Sequence, residues 1–178
     1  MKTKYILLPI VTLVLGLLVL VSVPLTYPVD QSESLQYRGM VCVYKNNELV
    51  ECNHNILVTT GMTQIQDHLG IGATGAVKTI AVGNGTAAQV AGDTSLAGEI
   101  ADVGLAKTTG TYVATGTAGA WNITYQWTCG AGCINEGVNN TGLYNATGAG
   151  QLFAETTFTN VVLQQNDKLN VTWGLTVT

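Results

Sequence analysis

Apolar residues recur at every second position through much of the chain. In residues 168–178, Leu169, Val171, Trp173, Leu175 and Val177 share one parity, and Asn170, Thr172, Gly174, Thr176 and Thr178 the other. Side chains alternate across a strand, so the pattern predicts a half-buried strand with a threonine-lined outer face. Residues 120–128 repeat it, with Trp121, Ile123, Tyr125 and Trp127 on one face and Asn122, Thr124, Gln126 and Thr128 on the other. Residues 151–159 alternate less cleanly, with Leu152, Ala154, Thr156 and Phe158 opposite Phe153, Glu155 and Thr157. Shorter strand candidates cover 77–82, 111–115 and 161–164, and glycine-rich joints at 70–75 and 148–150 separate the runs. Many short strands with turn signals predict an all-β fold, an antiparallel β-sandwich of Ig-like or pilin-like type.

One helix is expected within it. Met62, Ile65 and Leu69 are spaced i, i+3, i+7, Thr59 or Thr60 can cap the start, and Gly70 can end it in the left-handed region. A second short helical turn is predicted at 93–100, with Asp93 as cap and Leu96 and Ile100 turned inward.

The N-terminal pattern is different. Lys2 and Lys4 precede residues 5–23, which carry no charge, and Pro24 and Pro28 follow. A positive end before an apolar run directs the rest of the chain outward. The run is close to the ~20 residues a membrane-spanning helix needs, so 1–26 reads as a signal peptide or a retained membrane anchor. Five N-x-[ST] sequons agree with export, at Asn84, Asn122, Asn139, Asn145 and Asn170. Asn122 and Asn170 fall on the outward faces of their strands, where a glycan is tolerated.

Composition narrows the function. Only 10% of the 178 residues are charged and the net charge is -4. With 7 Lys+Arg that do not cluster, phosphate neutralisation cannot support nucleic-acid binding. A content of 47% hydrophobic residues argues against disorder.

Four cysteines form two local patterns. Cys42 to Cys52 reads as a β-hairpin turning at Asn46-Asn47. A two-residue loop pairs Lys45 with Glu48 and sets Cys42 opposite Glu51. A three-residue loop pairs Lys45 with Leu49 and sets Cys42 opposite Cys52, within reach of a disulfide. Cys129 and Cys133 enclose a flexible Gly-Ala-Gly triplet. Three connectivities are possible; two local bridges, Cys42–Cys52 and Cys129–Cys133, are preferred. The rival is a zinc site built from Cys52, His54, Cys129 and Cys133. Export favours oxidation, so no metal site is assigned. His54 and His68 sit in no nucleophile motif. Glu136 and Glu155 could pair as catalytic carboxylates, but any chain with 11 acidic residues offers such pairs. No enzyme, no catalytic residue and no cofactor is expected.

Residues 27–40 read as an extended arm that starts polar and contains a proline. Leu35, Tyr37, Val41 and Val43 share one parity, so the arm carries an apolar stripe that needs a groove. It either folds back on its own sandwich or adds to a neighbouring subunit, which would join copies head to tail.

The runs Ile80–Thr86, Asp93–Leu96, Ile134–Gly137, Leu143–Asn145, Phe158–Val161 and Asp167–Trp173 resemble a pattern met in structural β-sandwich proteins of tailed viruses. With the export segment, sequons and cysteines, the chain also resembles the archaeal thread-type pilins. That resemblance implies a secreted, glycosylated subunit of an extracellular filament, polymerised by donor-strand complementation for adhesion or biofilm cohesion. It implies that the arm before Cys42 is the donor, through Leu35, Tyr37, Val41 and Val43. The partners so implied are copies of the chain itself and N-glycans, with the membrane touched only through 5–23 if that segment is retained. The alternatives are a membrane-anchored monomeric binding module and a virion structural protein. The expected division is 1–26 signal or anchor, 27–40 arm and 41–178 sandwich.

Overall fold

The computed structural model describes residues 36–70 and 75–178. Ten strands and one helix alternate there as β1 (Tyr37–Lys45), β2 (Glu48–His54), β3 (Ile56–Leu57), α1 (Thr59–Gly70), β4 (Thr79–Gly83), β5 (Thr108–Thr109), β6 (Thr111–Ala114), β7 (Ala120–Thr128), β8 (Ile134–Tyr144), β9 (Leu152–Gln164) and β10 (Lys168–Val177). Two five-stranded sheets result, in the orders β2-β1-β10-β7-β6 and β3-β9-β8-β4-β5. Every pairing is antiparallel. The fold is the expected all-β sandwich with one short helix.

The core lies between the sheets and follows the alternation. Leu169, Val171, Trp173 and Leu175 of β10 are buried, as are Ile123 and Trp127 of β7. The residues between them form the outer face of the first sheet, where Thr172 pairs with Thr124 and Asn170 with Gln126. The hydroxyls of Thr124 and Thr172 lie 2.9 Å apart. The segments 151–159 and 161–164 merge into one long strand, β9. Its first half, Leu152 to Thr156, is buried on both faces, and for that reason its alternation is weak.

The first hairpin combines both anticipated registers. Asn46 and Asn47 have φ of 50° and 70°, a two-residue turn of type I′ that pairs Lys45 with Glu48. A bulge then leaves Val50 without a partner, because Val43 pairs with Glu51 while Tyr44 pairs with Leu49. The extra residue brings Cys42 opposite Cys52, and the two are disulfide-bonded with Cα atoms 4.0 Å apart. Cys129 and Cys133 are bridged as well and fully buried, closing the turn from β7 to β8.

Four local expectations are corrected. The α1 helix does not present Met62 to the core: Met62 is 51% exposed, and Ile65 is half-buried. Its inward face is Gly61 and Gln64, both buried. Gly61 lies so close to the Phe153 carbonyl that a β-carbon would collide with it. Gln64 Nε2 donates to the Leu152 carbonyl at 3.4 Å. Nor do the threonines cap the helix: Thr59 Oγ1 donates to Ala91 O at 2.8 Å and Thr60 Oγ1 to Leu152 O. Gly70 ends the helix without a left-handed φ. Finally, residues 93–100 form turns instead of a helix; Asp93 Oδ2 accepts the Val90 N–H at 2.9 Å, and Leu96 and Ile100 are buried as expected.

Candidate docking groove

The stripe of the expected arm falls in β1, which pairs along its length with β10 and over residues 40–45 with β2 of the same chain. Val41 and Val43 are buried in that chain's own core, and Tyr37 packs edge-on against Phe153 with ring centroids 5.5 Å apart. The first strand of the sandwich therefore begins at Tyr37, within the expected arm and not at residue 41. Tyr37, Val41 and Val43 are not available as a strand for a neighbour; Leu35 lies outside the described residues.

At the end of the sandwich where β1 begins, a groove of about 490 Å³ opens between the sheets. Its wall is apolar: Trp121 and Ile123 of β7, Leu175 and Val177 of β10, Phe153 of β9 and Ile65 of α1. Tyr112 of β6 stands at the rim, 59% exposed, beside Val113 at 43%. Tyr37 and Ile65 also line an adjoining hollow of about 660 Å³, bounded by Arg38, His54, Asn55 and Met62. Gly39 makes this second space, since a β-carbon there would strike the Asn55 side chain and the Tyr37 hydroxyl. Asn55 Nδ2 donates to Tyr37 Oη at 2.9 Å, while Asn55 Oδ1 is buried without a partner. Burial pushes the Tyr37 phenol well above its ordinary range.

The electrostatics of the two hollows are one-sided. Arg38, Lys78, His54 and His68 line them, and no Asp or Glu does among the described residues. The sheet edges differ too. The β2 edge is tied to β9, because Glu51 Oε2 accepts the Thr159 N–H at 2.6 Å and Asn53 Nδ2 donates to Thr157 O at 3.0 Å. The β6 edge pairs with β7 on one side and ends the sheet on the other. An open edge with exposed apolar side chains is a template for strand addition.

The remaining candidates fall elsewhere. All four thiols are consumed in disulfides, so the zinc set does not form. His54 Nδ1 approaches Gly39 O at 3.4 Å and His68 Nε2 approaches Gly75 O at 3.1 Å. Glu136 pairs with Leu163 and Glu155 with Gly142, six residues apart along β8, or about 20 Å at the rise of a strand. They form no pair; Glu155 is buried with its Oε1 unpartnered, and burial first, then the neighbouring Asp93 carboxyl, push its own carboxyl up to about 8. Of the sequons, Asn84 is exposed, and Asn122 and Asn170 stand on the outer face of the first sheet. Asn139 has its Oδ1 buried, and Asn145 Oδ1 accepts the Gln151 N–H at 2.9 Å.

Comparison with protein-family models, curated proteins and solved structures finds no match. Two disulfides suit an oxidising environment of the kind found outside cells. Among the described residues no helix is long and apolar enough to cross a membrane.

Proposed function

We propose that this protein is a non-enzymatic structural subunit of an extracellular filament, joined head to tail by a strand that each copy lends to the next. The observation that carries this reading is the apolar groove beside the open β6 edge. With Tyr37, Val41 and Val43 committed to their own sheet, the donor lies further upstream, in residues 27–33. Tyr27 and Val29 share one parity there, so an extended segment offers one apolar face to the groove. Pro28 lies on the opposite parity, where its missing N–H is tolerated if that face points away from the β6 edge. Asp30 and Glu33 follow, matching the basic lining at Arg38 and Lys78. Because donor and acceptor are different surfaces, the contact does not close on itself and copies extend into a fibre. The sequons at Asn84, Asn122 and Asn170 are not among the residues lining the groove and are the sites assigned to N-glycans.

A second reading is favoured by the complete pairing of β1 within its own sheet: a monomeric surface module tethered by residues 5–23. Export of the full chain and of a variant lacking residues 27–33 separates the two. Filaments in negative stain from the first and only disulfide-bonded monomers from the second support polymerisation. Monomers from both refute it.

A further inference from the structure

The outer face of the first sheet carries two sequons, and one of them faces an aromatic ring. Asn122 stands between Gly174 of β10 and Val113 of β6. Asn170 stands between Gln126 of β7 and Tyr44 of β1. Directly opposed residues of an antiparallel pair hold their β-carbons about 4.5–5.5 Å apart on one face. Tyr44 is therefore the immediate neighbour of Asn170 on its β1 side. Tyr44 is half-buried, and with Asn47, Asn170 and Thr172 it lines a shallow hollow of about 230 Å³.

The Asn170 amide is held in one orientation. Thr172, the last residue of the same sequon, donates its hydroxyl to Asn170 Oδ1 at 3.3 Å. Thr124 Oγ1 of β7 lies 3.5 Å from that oxygen and 2.9 Å from Thr172 Oγ1. With Oδ1 drawn toward these hydroxyls, the planar amide turns Nδ2 the other way, toward β1 and the hollow. Among the described residues none accepts a hydrogen bond from Nδ2. Other sequons are less free: Asn139 Oδ1 is buried, and Asn145 Oδ1 is engaged by the Gln151 N–H.

We propose that Asn170 carries an N-glycan whose first pyranose ring lies on the Tyr44 ring, in the hollow bounded by Asn47 and Thr172. The C–H face of a pyranose is apolar, and an aromatic ring offers it a flat surface, so stacking removes apolar area of both from water. The Tyr44 hydroxyl and the Asn47 amide supply hydrogen-bonding groups for the sugar's hydroxyls. Attachment needs an activated sugar phosphate as co-reactant. Asn170 Nδ2 bonds to its anomeric carbon and gives up one proton, while the carbon–oxygen bond to phosphate breaks and the phosphate leaves with the electron pair. A sugar seated in this way bridges β10 and the β1–β2 hairpin, beside the rung where Thr172 pairs with Cys42. The inference rests on the export and glycosylation part of the proposed function and not on filament assembly.

The full chain, secreted from a host that N-glycosylates, tests it. Peptide mass spectrometry should find a sugar at Asn170. Proton NMR of the same material should show cross-relaxation between the Tyr44 ring and the first sugar, whose protons are shifted upfield by the ring. That shift should vanish in Tyr44→Ala and persist in Tyr44→Phe, with Asn170 still occupied in both. Asn170→Gln should lower the melting temperature by about 2–4 °C when Tyr44 is present and leave it unchanged in Tyr44→Ala. Should Tyr44→Ala fail to fold, the cross-relaxation in the wild type and in Tyr44→Phe gives the answer. A glycan at Asn170 whose first ring makes no contact with Tyr44 overturns the proposal. Sugars at Asn84 or Asn122 with Asn170 bare overturn it while leaving the glycosylated reading intact. Secreted chains without sugar at any sequon overturn both.

Discussion

Cys42 and Cys52 face each other across the first hairpin because Val50 bulges out of β2. The turn by itself sets Cys42 opposite Glu51, and one unpaired residue moves the register by the step the bridge needs. The bridge closes a ten-residue separation. A crosslink of that span is worth about 2–3 kcal/mol through restriction of the unfolded chain. Replacing both cysteines by alanine is expected to lower stability by that amount in urea titration, and deleting Val50 to leave the disulfide intact, as peptide mapping would show.

The hairpin turn is pinned to the turn between β9 and β10. Asp167 Oδ2 accepts from Lys45 Nζ at 2.9 Å and from the Gln164 N–H at 2.9 Å, and its Oδ1 accepts from Asn46 Nδ2 at 2.9 Å. These donors, with Asn46 first, hold its carboxyl down to about 2. A depressed carboxyl stabilises above its unfolded value near 3.8 and loses that contribution as pH falls through about 2. Asp167→Asn should therefore be less stable than the wild type at neutral pH, and the gap should close between about pH 4 and 2. Urea midpoints across that range check it.

Trp173 fills the centre of the core with no solvent exposure. Its truncation to alanine removes a large buried side chain and leaves a cavity, at a cost of about 3–5 kcal/mol. Calorimetry should show a large fall in melting temperature. The exposed Tyr112, by contrast, contributes little to its own fold, so Tyr112→Asp should leave the melting temperature nearly unchanged while abolishing filaments.

Much of the architecture could be read from alternation. The strands β7 and β10 each have one buried and one solvated face, so their period of two is visible. The central strand β8 is not legible in that way, because Asn140 and Thr141 are buried in it. They are tolerated because Asn140 reaches the Ala97 carbonyl and Thr141 Oγ1 donates to Ala81 O at 2.7 Å. The inward face of α1 was hidden for a related reason. It packs through Gly61, which lacks bulk, and Gln64, which bonds backbone, and an apolar stripe finds neither. The groove had no local signal at all, since its lining comes from six separate elements. Only the fold brings Ile65, Trp121, Phe153 and Leu175 together. The arm's stripe was correctly seen as apolar, but parity cannot say whose sheet it completes.

The account turns on where residues 27–33 go, and a covalent trap reports this directly. In the exported Val29→Cys/Tyr112→Cys double variant, mild oxidation followed by non-reducing electrophoresis should give a ladder of dimers, trimers and higher multimers that collapses on reduction. A single monomeric band carrying an intrachain 29–112 bridge would contradict it, because each groove would then hold its own chain.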